Sequence, residues 1–322
     1  MITFTAGPSE AGSRLDRLLR KRLPLMGLSE IYGLIRRGLV KVNGKKVKQN
    51  HRLNEGEVLE IRVDRSEFRN EAKADNSLAN LTRTEFFKKN FNILFEDSSL
   101  LVCNKPAGLV VHSGTGHVSR DNLVDLATAY VLSKHKHPSE PQIPVLMHRL
   151  DRDTSGVILL AKNKKIVRLL HDEMRKGTFI KQYVAICHNR PPQFESTVTL
   201  NLKRTDRCSR GMKMSVEKSG RESKSTYRLV EYQNGLSEIE VFLHTGKTHQ
   251  IRVHLAHLNA PILGDQRYGS EELDRTVLSA ISLPRRLYLH AHKLSFPHPL
   301  TKKTTKITAP LPREFKKAFE RL

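Results

Sequence analysis

A break in pattern constrains this chain more than any single motif. From Arg65 to about Asn90 the sequence RSEFRNEAKADNSLANLTRTEFFKKN is polar, shows little clear period and has few large apolar residues before Phe86. Such a stretch buries too little surface to be a core element and reads as a linker. The expectation is two folded units, residues 1–64 and residues 91–322, a number in keeping with a length of 322 residues.

In the first unit, Leu15, Leu18, Leu19 and Leu23 follow helical spacing, with Ser13 as a plausible N-cap. A second helix follows Ser29 and stops at Gly38. It carries Ile31, Leu34 and Ile35 on one face and Arg36 and Arg37 largely off it. The run LVKVNGKKVKQNHRLNEGEVLEIRV then alternates around Asn43-Gly44, the strongest short-range hairpin signal. Two short basic helices and a small sheet make an α/β module of roughly sixty residues, near the minimum for independent folding. Arg36, Arg37, Lys41, Lys45 and Lys46 are its candidate binding cations.

The second unit reads mainly as strands: NILFEDSSLLVCNKPAGLVVHSG, VILLAKN, QYVAIC, STYRLVEY, SEIEVFL and LYLHAHKLSFPHP. DNLVDLATAYVLSKH and KKIVRLLHDEMRKG read as helices, the latter with Gly177 just past its end. Strands with a few interspersed helices predict an α+β fold built on a mixed, mostly antiparallel central sheet with flanking helices.

Charge narrows the function. The chain has 56 Lys+Arg against 33 Asp+Glu, a formal net charge of +23. A surplus of that size is more than a solubility device needs. It argues for a polyanionic partner, with nucleic acid foremost, because Lys and Arg gain affinity by displacing phosphate counterions. The three cysteines, Cys103, Cys187 and Cys208, are odd in number and widely spaced, which fits a reducing, cytoplasmic setting. MITFTAGPSEAG has no signal-peptide pattern, and no run approaches the ~18 apolar residues of a membrane span.

Three stretches carry candidate chemistry. HRLDRDTSG, His148 to Gly156, places Asp151 between Arg149 and Arg152 on a loop before an apolar strand, where reactive side chains concentrate. An acid beside a phosphate-binding surface is either a structural ion-pair partner or a reagent, and composition leaves both open. HTGKTHQIRVHLAH, His244 to His257, joins a turn to a helical run with Ile251, Leu255 and Leu258 on one face. Lys247 and Arg252 supply cations; His249 and Gln250 supply hydrogen-bonding groups. Its four histidines lack the H-E-x-x-H spacing and any cysteine pair, so a basic helix touching phosphates is the better reading than zinc. In KQYVAI, Tyr183 is a core strand residue or a stacking platform for a base. Phosphate-binding G-x-x-x-x-G-K-[ST] and G-x-G-x-x-G loops and the G-x-S-x-G elbow are absent, so no nucleotide cofactor is expected.

In this order, LLVCNKPAGLVVHSGTG, HRLDRDTSG, KQYVAI, TGKTHQIRVHLAH, ILGDQRYG and LYLHAHKLSFPHP resemble the RluA-type pseudouridine synthases, from about Phe91 to the C-terminus. The first sixty or so residues look like the small S4-type RNA-binding domain that often precedes this catalytic domain. HRLDRDTSGV and GDQRYGSEELDR look most like the RluC-type subgroup, which modifies large-subunit (23S) ribosomal RNA. The resemblance implies the pseudouridine synthase fold and the isomerisation of uridine to pseudouridine, with no cofactor and no metal. It places Asp151 on the family's essential aspartate and Tyr183 on the tyrosine that stacks on the target base and is placed to take the proton from carbon 5. Arg252 falls on the basic partner of the aspartate, and Leu255 on an apolar residue lining the pocket. The chain departs from the family at Lys247, where arginine is usual; lysine keeps the charge but loses the bidentate fork.

Uridine must leave its ribose, rotate and rejoin through carbon, so nothing is added or removed. An aspartate used for this must be charged, and a cation beside it favours that form and aims it; whether it attacks covalently or removes a ribose proton stays open. The base must also leave the stack, at a cost of a few kcal/mol. His148 is a candidate to hold displaced neighbours or a hydrogen-bonded loop residue, and Arg149 and Arg152 are free to meet phosphates. The rivals are the same chemistry on transfer RNA or other ribosomal uridines, a non-catalytic RNA-binding assembly protein, and a nuclease. Metal-dependent cutting wants clustered carboxylates, and near Asp151 there are only Asp153 and, further on, Asp172 and Glu173. The basic, turn-rich stretch KRTDRCSRGMKMSVEKSGRESKS is expected to be loop that helps choose the target. A soluble monomer is expected.

Overall fold

The computed structural model describes residues 2–8, 10–23, 26, 28–62, 81–112, 122–134, 144–208 and 211–320. Residues 63–80, most of the stretch read as a linker, and the end of the HSGTG segment lie outside them.

The N-terminal elements are β1 (Ile2–Thr5), α1 (Leu15–Arg22), α2 (Leu28–Arg36), β2 (Val40–Val42), β3 (Lys45–Lys46) and β4 (Val58–Ile61). The strands form an antiparallel sheet in the order β1-β4-β2-β3. Its core joins Leu15, Leu18 and Leu19 of α1 to Ile31, Leu34 and Ile35 of α2 and to Val40, Leu59 and Ile61 of the sheet. Asn43 and Gly44 both take positive φ, 48° and 74°, which lets β2 and β3 pair with Val42 opposite Lys45. Ser13 is not the cap of α1. Its carbonyl accepts the Leu53 N–H and Arg14 bridges Arg52, so the chain is still extended there and Arg14 takes the cap position. Ser29 lies inside α2 rather than before it.

The larger unit begins with α3 (Glu85–Asn90), β5 (Ile93–Glu96), β6 (Leu100–Lys105), α4 (Leu123–Lys134), β7 (Val145–Leu146), β8 (Ser155–Ala161) and α5 (Lys164–Arg175). It continues with β9 (Ile180–His188), β10 (Glu195–Cys208), β11 (Gly211–Val216), β12 (Arg221–Gln233), β13 (Leu236–Leu243) and α6 (Gln250–His257), then α7 (Glu271–Ala280), β14 (Leu289–Pro297), β15 (Thr304–Thr308) and α8 (Arg313–Glu320). Eleven strands form one sheet, β11-β10-β12-β13-β9-β14-β8-β6-β5, with β15 beside β14 and β7 beside β8. Every pair is antiparallel except β14 with β8, so the sheet is mixed and mostly antiparallel, as the pattern predicts.

Alternation along the strands sorts the core into two layers. Ile158 and Leu160 of β8 and Leu101 and Cys103 of β6 face α4. Val157 and Leu159 of β8 and Leu100 and Val102 of β6 face Ile166 and Leu170 of α5. With both faces covered, β8 is buried at all seven positions, which is why it reads as an unbroken apolar run. Four segments differ from expectation. The end of the polar stretch forms α3, because Phe86, Phe87 and Phe91 pack on the larger core. The basic turn-rich stretch is largely the β10–β11 hairpin, with Leu202 opposite Val216 and Thr205 opposite Lys213. Backbone pairing holds it, so its side chains need no apolar pattern. The helices α7 and α8 are additional to the expectation: each carries a short apolar stripe at helical spacing, Leu273 with Val277 and Phe315 with Ala318 and Phe319.

Gly156, the second residue of β8, takes φ +114°, and a Cβ there would lie 2.2 Å from the Ala291 carbonyl oxygen of β14. Gly156→Ala must strain the backbone and part the β8–β14 pair that seats the preceding loop. The expected cost is about 2–3 kcal/mol in urea unfolding.

Candidate active site

Asp151 lies on the loop between β7 and β8, and that loop is pinned from behind. The Thr154 N–H closes a turn on the Asp151 carbonyl, and the Arg152 carbonyl accepts from Gly108 N–H and from Lys105 Nζ at 2.7 Å. Lys105 is fully buried at the end of β6, and its ammonium also donates to the Pro106 and Leu109 carbonyls. Burial pushes its pKa down to about 7, against the pull of Asp153 and Asp151. His148 Nε2 accepts the Leu159 N–H of β8 at 3.1 Å, and its Nδ1 is buried with no partner among the described residues. Burial, then the charge of Lys181, push His148 down to about 3, so the ring is a neutral strut tying the loop to β8.

The Asp151 carboxylate meets α6. Arg252 Nη1 donates to Asp151 Oδ2 at 3.0 Å. The other edge of the guanidinium is bidentate on Asp265, Nε to Oδ2 at 2.7 Å and Nη2 to Oδ1 at 2.8 Å. Asp265 Oδ1 also accepts the Arg267 and Tyr268 N–H groups, and the Tyr268 ring lies 5.2 Å from Arg252 Cζ. Burial disfavours the guanidinium's charge; Asp265 and then Asp151 more than offset it, raising the pKa above its ordinary value. Burial would likewise raise Asp265, but Arg252 and the two N–H groups hold its carboxyl below the usual value. The side chain of Asp265 is wholly buried, whereas that of Asp151 keeps 27% of its surface exposed. Two acids thus share one arginine: one is sealed in the protein, the other open to a ligand.

Tyr183 stands in the middle of β9, between Val241 of β13 and Ala291 of β14. It is both a core residue and a neighbour of Asp151: burial, then the Asp151 charge, raise its pKa, so the phenol is neutral. Leu255 is buried in the same core cluster. His249, at the start of α6, holds Nε2 3.8 Å from Asp151 Oδ2. Gln250 is engaged internally. Its Oε1 accepts from Thr245 Oγ1 and the Lys247 N–H, and its Nε2 donates to the Lys224 carbonyl. It closes the turn before α6 instead of presenting its amide to a ligand. Lys247 is half-buried and Arg149 exposed, while exposed Arg152 pairs with Asp153. The four histidines do not converge: His244 bonds Thr226, His249 bonds Tyr268 and His254 bonds Ser223 and Ser225. Among the described residues no three His, Cys, Asp or Glu side chains are grouped as metal ligands, and no helix is long and apolar enough to cross a membrane. In the N-terminal unit Arg36, Arg37, Lys45 and Lys46 are exposed and Lys41 half-buried. Lys41 pairs with Lys46, whose stem lies against Gly38 just past the end of α2.

Two family models match the chain: RNA pseudouridylate synthase over residues 99–257 and the S4 domain over residues 13–59. The chain is 34% identical over 309 residues to the ribosomal large subunit pseudouridine synthase C of Buchnera aphidicola subsp. Baizongia pistaciae, spanning 96% of this chain and 93% of that one. The protein belongs to the RNA pseudouridylate synthase family. The Escherichia coli K12 synthase of the same name is 33% identical over 322 residues, covering all of this chain and 96% of its own. Human RNA pseudouridylate synthase domain containing 4 superposes with a TM-score of 0.60 at 26% identity, over 78% of this synthase and 97% of the human chain. Sequence reasoning missed three residues of the synthase site: Lys105, Asp265 and Tyr268. Each lies in a quoted motif, NKPAG or GDQRYG, but a buried lysine, a sealed acid and a tyrosine behind an arginine have no local signature.

Proposed function

We propose that this synthase converts uridines of large-subunit (23S) ribosomal RNA to pseudouridine. Asp151 acts on the bond between uracil and ribose, and Arg252 aims its carboxylate. Tyr183 stacks on the flipped base, and its neutral hydroxyl can take the proton from carbon 5 only while passing its own to Asp151 or to water. Exposed Arg149 and Arg152 meet phosphates, with Lys247 as a looser third contact, and His249 faces the bound nucleotide. The chain works as a 1–64 RNA-binding domain, a connection that ends before α3, and a catalytic domain that runs from α3 to residue 322, with Arg36, Arg37, Lys41, Lys45 and Lys46 tracking phosphates without reading sequence. It acts as a monomer in the cytoplasm, without cofactor or metal.

The observation that carries this reading is the shared arginine. Asp265 satisfies it permanently, so Asp151 can leave the pair to react without orphaning a buried cation. The test uses wild-type protein and a large-subunit rRNA transcript carrying tritium at uridine carbon 5. Tritium release in the presence of a chelator, with intact RNA and pseudouridine mapped at discrete positions, is the expected result. Tight binding without release would replace the enzyme by a binder, chain cleavage would make it a nuclease, and release from transfer RNA alone would move the substrate.

Tyr183→Phe keeps the stacking surface and removes the proton relay. It should lower kcat for tritium release by about 10²–10⁴ with the KM for RNA unchanged. Single-turnover measurement separates the two quantities.

A further inference from the structure

Behind Asp151 runs a chain of contacts that the reaction as described does not use. The Met214 backbone N–H, on edge strand β11, donates to Tyr268 Oη at 2.8 Å. Tyr268 Oη is also 2.8 Å from His249 Nδ1. Lys213 Nζ lies 5.7 Å from the Tyr268 ring, with Arg252 as the ring's other cationic neighbour. Tyr268 therefore joins the β10–β11 hairpin to the histidine beside Asp151.

The hydrogens can be assigned. The Tyr268 oxygen already accepts from Met214, so its own proton is free for His249 Nδ1, which makes His249 the Nε2–H tautomer. The opposite tautomer would leave the tyrosine proton without that acceptor and turn a nitrogen lone pair toward the Asp151 carboxylate. Burial keeps His249 neutral, with Arg252 and Arg267 adding to that and Asp151 and Asp265 opposing it. The backbone of His249 is strained as well: φ 53°, ψ 18° is a left-handed conformation that glycine or asparagine adopts more easily. A histidine kept there needs a reason in its side chain.

We propose that Tyr268 is a positioning residue: its hydroxyl, anchored by the β11 edge, locks His249 with Nε2–H facing Asp151. The 3.8 Å gap is too long for a hydrogen bond. It leaves that N–H free for an oxygen of the bound nucleotide, or for Asp151 once the carboxylate shifts. Docking of the hairpin and the state of the reacting site are then linked through one hydroxyl. The inference rests on the reaction proposed above.

Tyr268→Phe removes the hydroxyl and keeps the ring over Arg252, so the melting temperature should hold. The kcat for tritium release should fall about tenfold to a hundredfold, as when a supporting partner of an active-site group is lost, with KM for RNA unchanged. Nitrogen-15 NMR of His249 reads the mechanism directly. In wild type Nδ1 should appear as an acceptor and Nε2 as protonated; in Tyr268→Phe the two should mix. In a His249→Asn background, which suits the left-handed backbone, Tyr268→Phe should have no further effect on kcat. An unchanged tautomer, an unchanged kcat, or an equal loss in the His249→Asn background each overturns the proposal. The NMR comparison needs no turnover, so a wild type silent toward RNA would sink the reaction while this assignment is still decided.

Discussion

Asp151→Asn is expected to lower tritium release by roughly four orders of magnitude or more, the scale seen when a reacting side chain is removed. The amide keeps the shape and can still accept from Arg252 Nη1, but it neither attacks nor removes a proton. Stability should barely change. The Asp151 side chain is 27% exposed, and Arg252 keeps both hydrogen bonds to Asp265 without it. Urea unfolding should therefore shift by less than about 1 kcal/mol. Circular dichroism, unfolding and tritium release on one preparation check the separation. A large loss of stability would make Asp151 a structural ion-pair partner after all.

Asp265→Asn should do the reverse, and damage the fold first. The side chain of Asp265 is wholly buried and that of Arg252 is 10% exposed, so the variant leaves a guanidinium without its bidentate partner in a dry site. Breaking one partner of a buried pair costs about 3–5 kcal/mol. The Arg267 and Tyr268 N–H groups also lose a charged acceptor. Turnover should fall as well, because Arg252 would swing onto Asp151 or toward water. The acid side of the stability curve offers a second check. The Asp265 carboxyl titrates below its ordinary value in the folded protein, so the unfolded chain binds its proton more readily. Its contribution is fully present above the unfolded carboxylate pKa of about 3.9 and is lost as pH falls through the lower, folded value. Asp265→Asn should flatten that part of the curve and leave the neutral range parallel to wild type.

These two acids show how far the site is legible. Asp151 stands out in sequence because it sits between arginines before an apolar strand. Asp265 sits in a turn motif whose spacing does not announce a buried ion pair, and Tyr268 and Lys105 act on a side chain and a carbonyl far along the chain. Gln250 misleads in the other direction. A polar residue beside basic ones reads as a ligand contact, yet its amide is used up closing a turn. The hairpin of β10 and β11 was hidden because backbone pairing leaves no apolar period in solvated strands.

The sequence by itself determined the elements: the two helices and Asn43-Gly44 hairpin of the basic N-terminal unit, the buried strand β8, the helix that carries Arg252, and the charge that points to RNA. These follow from local periodicity, turn chemistry and composition, which a single stretch carries whole. Only the tertiary structure supplies the reason that Arg252, the partner the family resemblance implies, meets Asp151. Arg149 and Arg152 are its neighbours in the chain, but Arg252, 101 residues away, is its partner. That choice depends on the strand order that sets β8, β14 and β9 side by side and on the loop that seats Asp265 under the guanidinium. Packing across a sheet, not spacing along a chain, turned an acid in a basic protein into an aimed carboxylate.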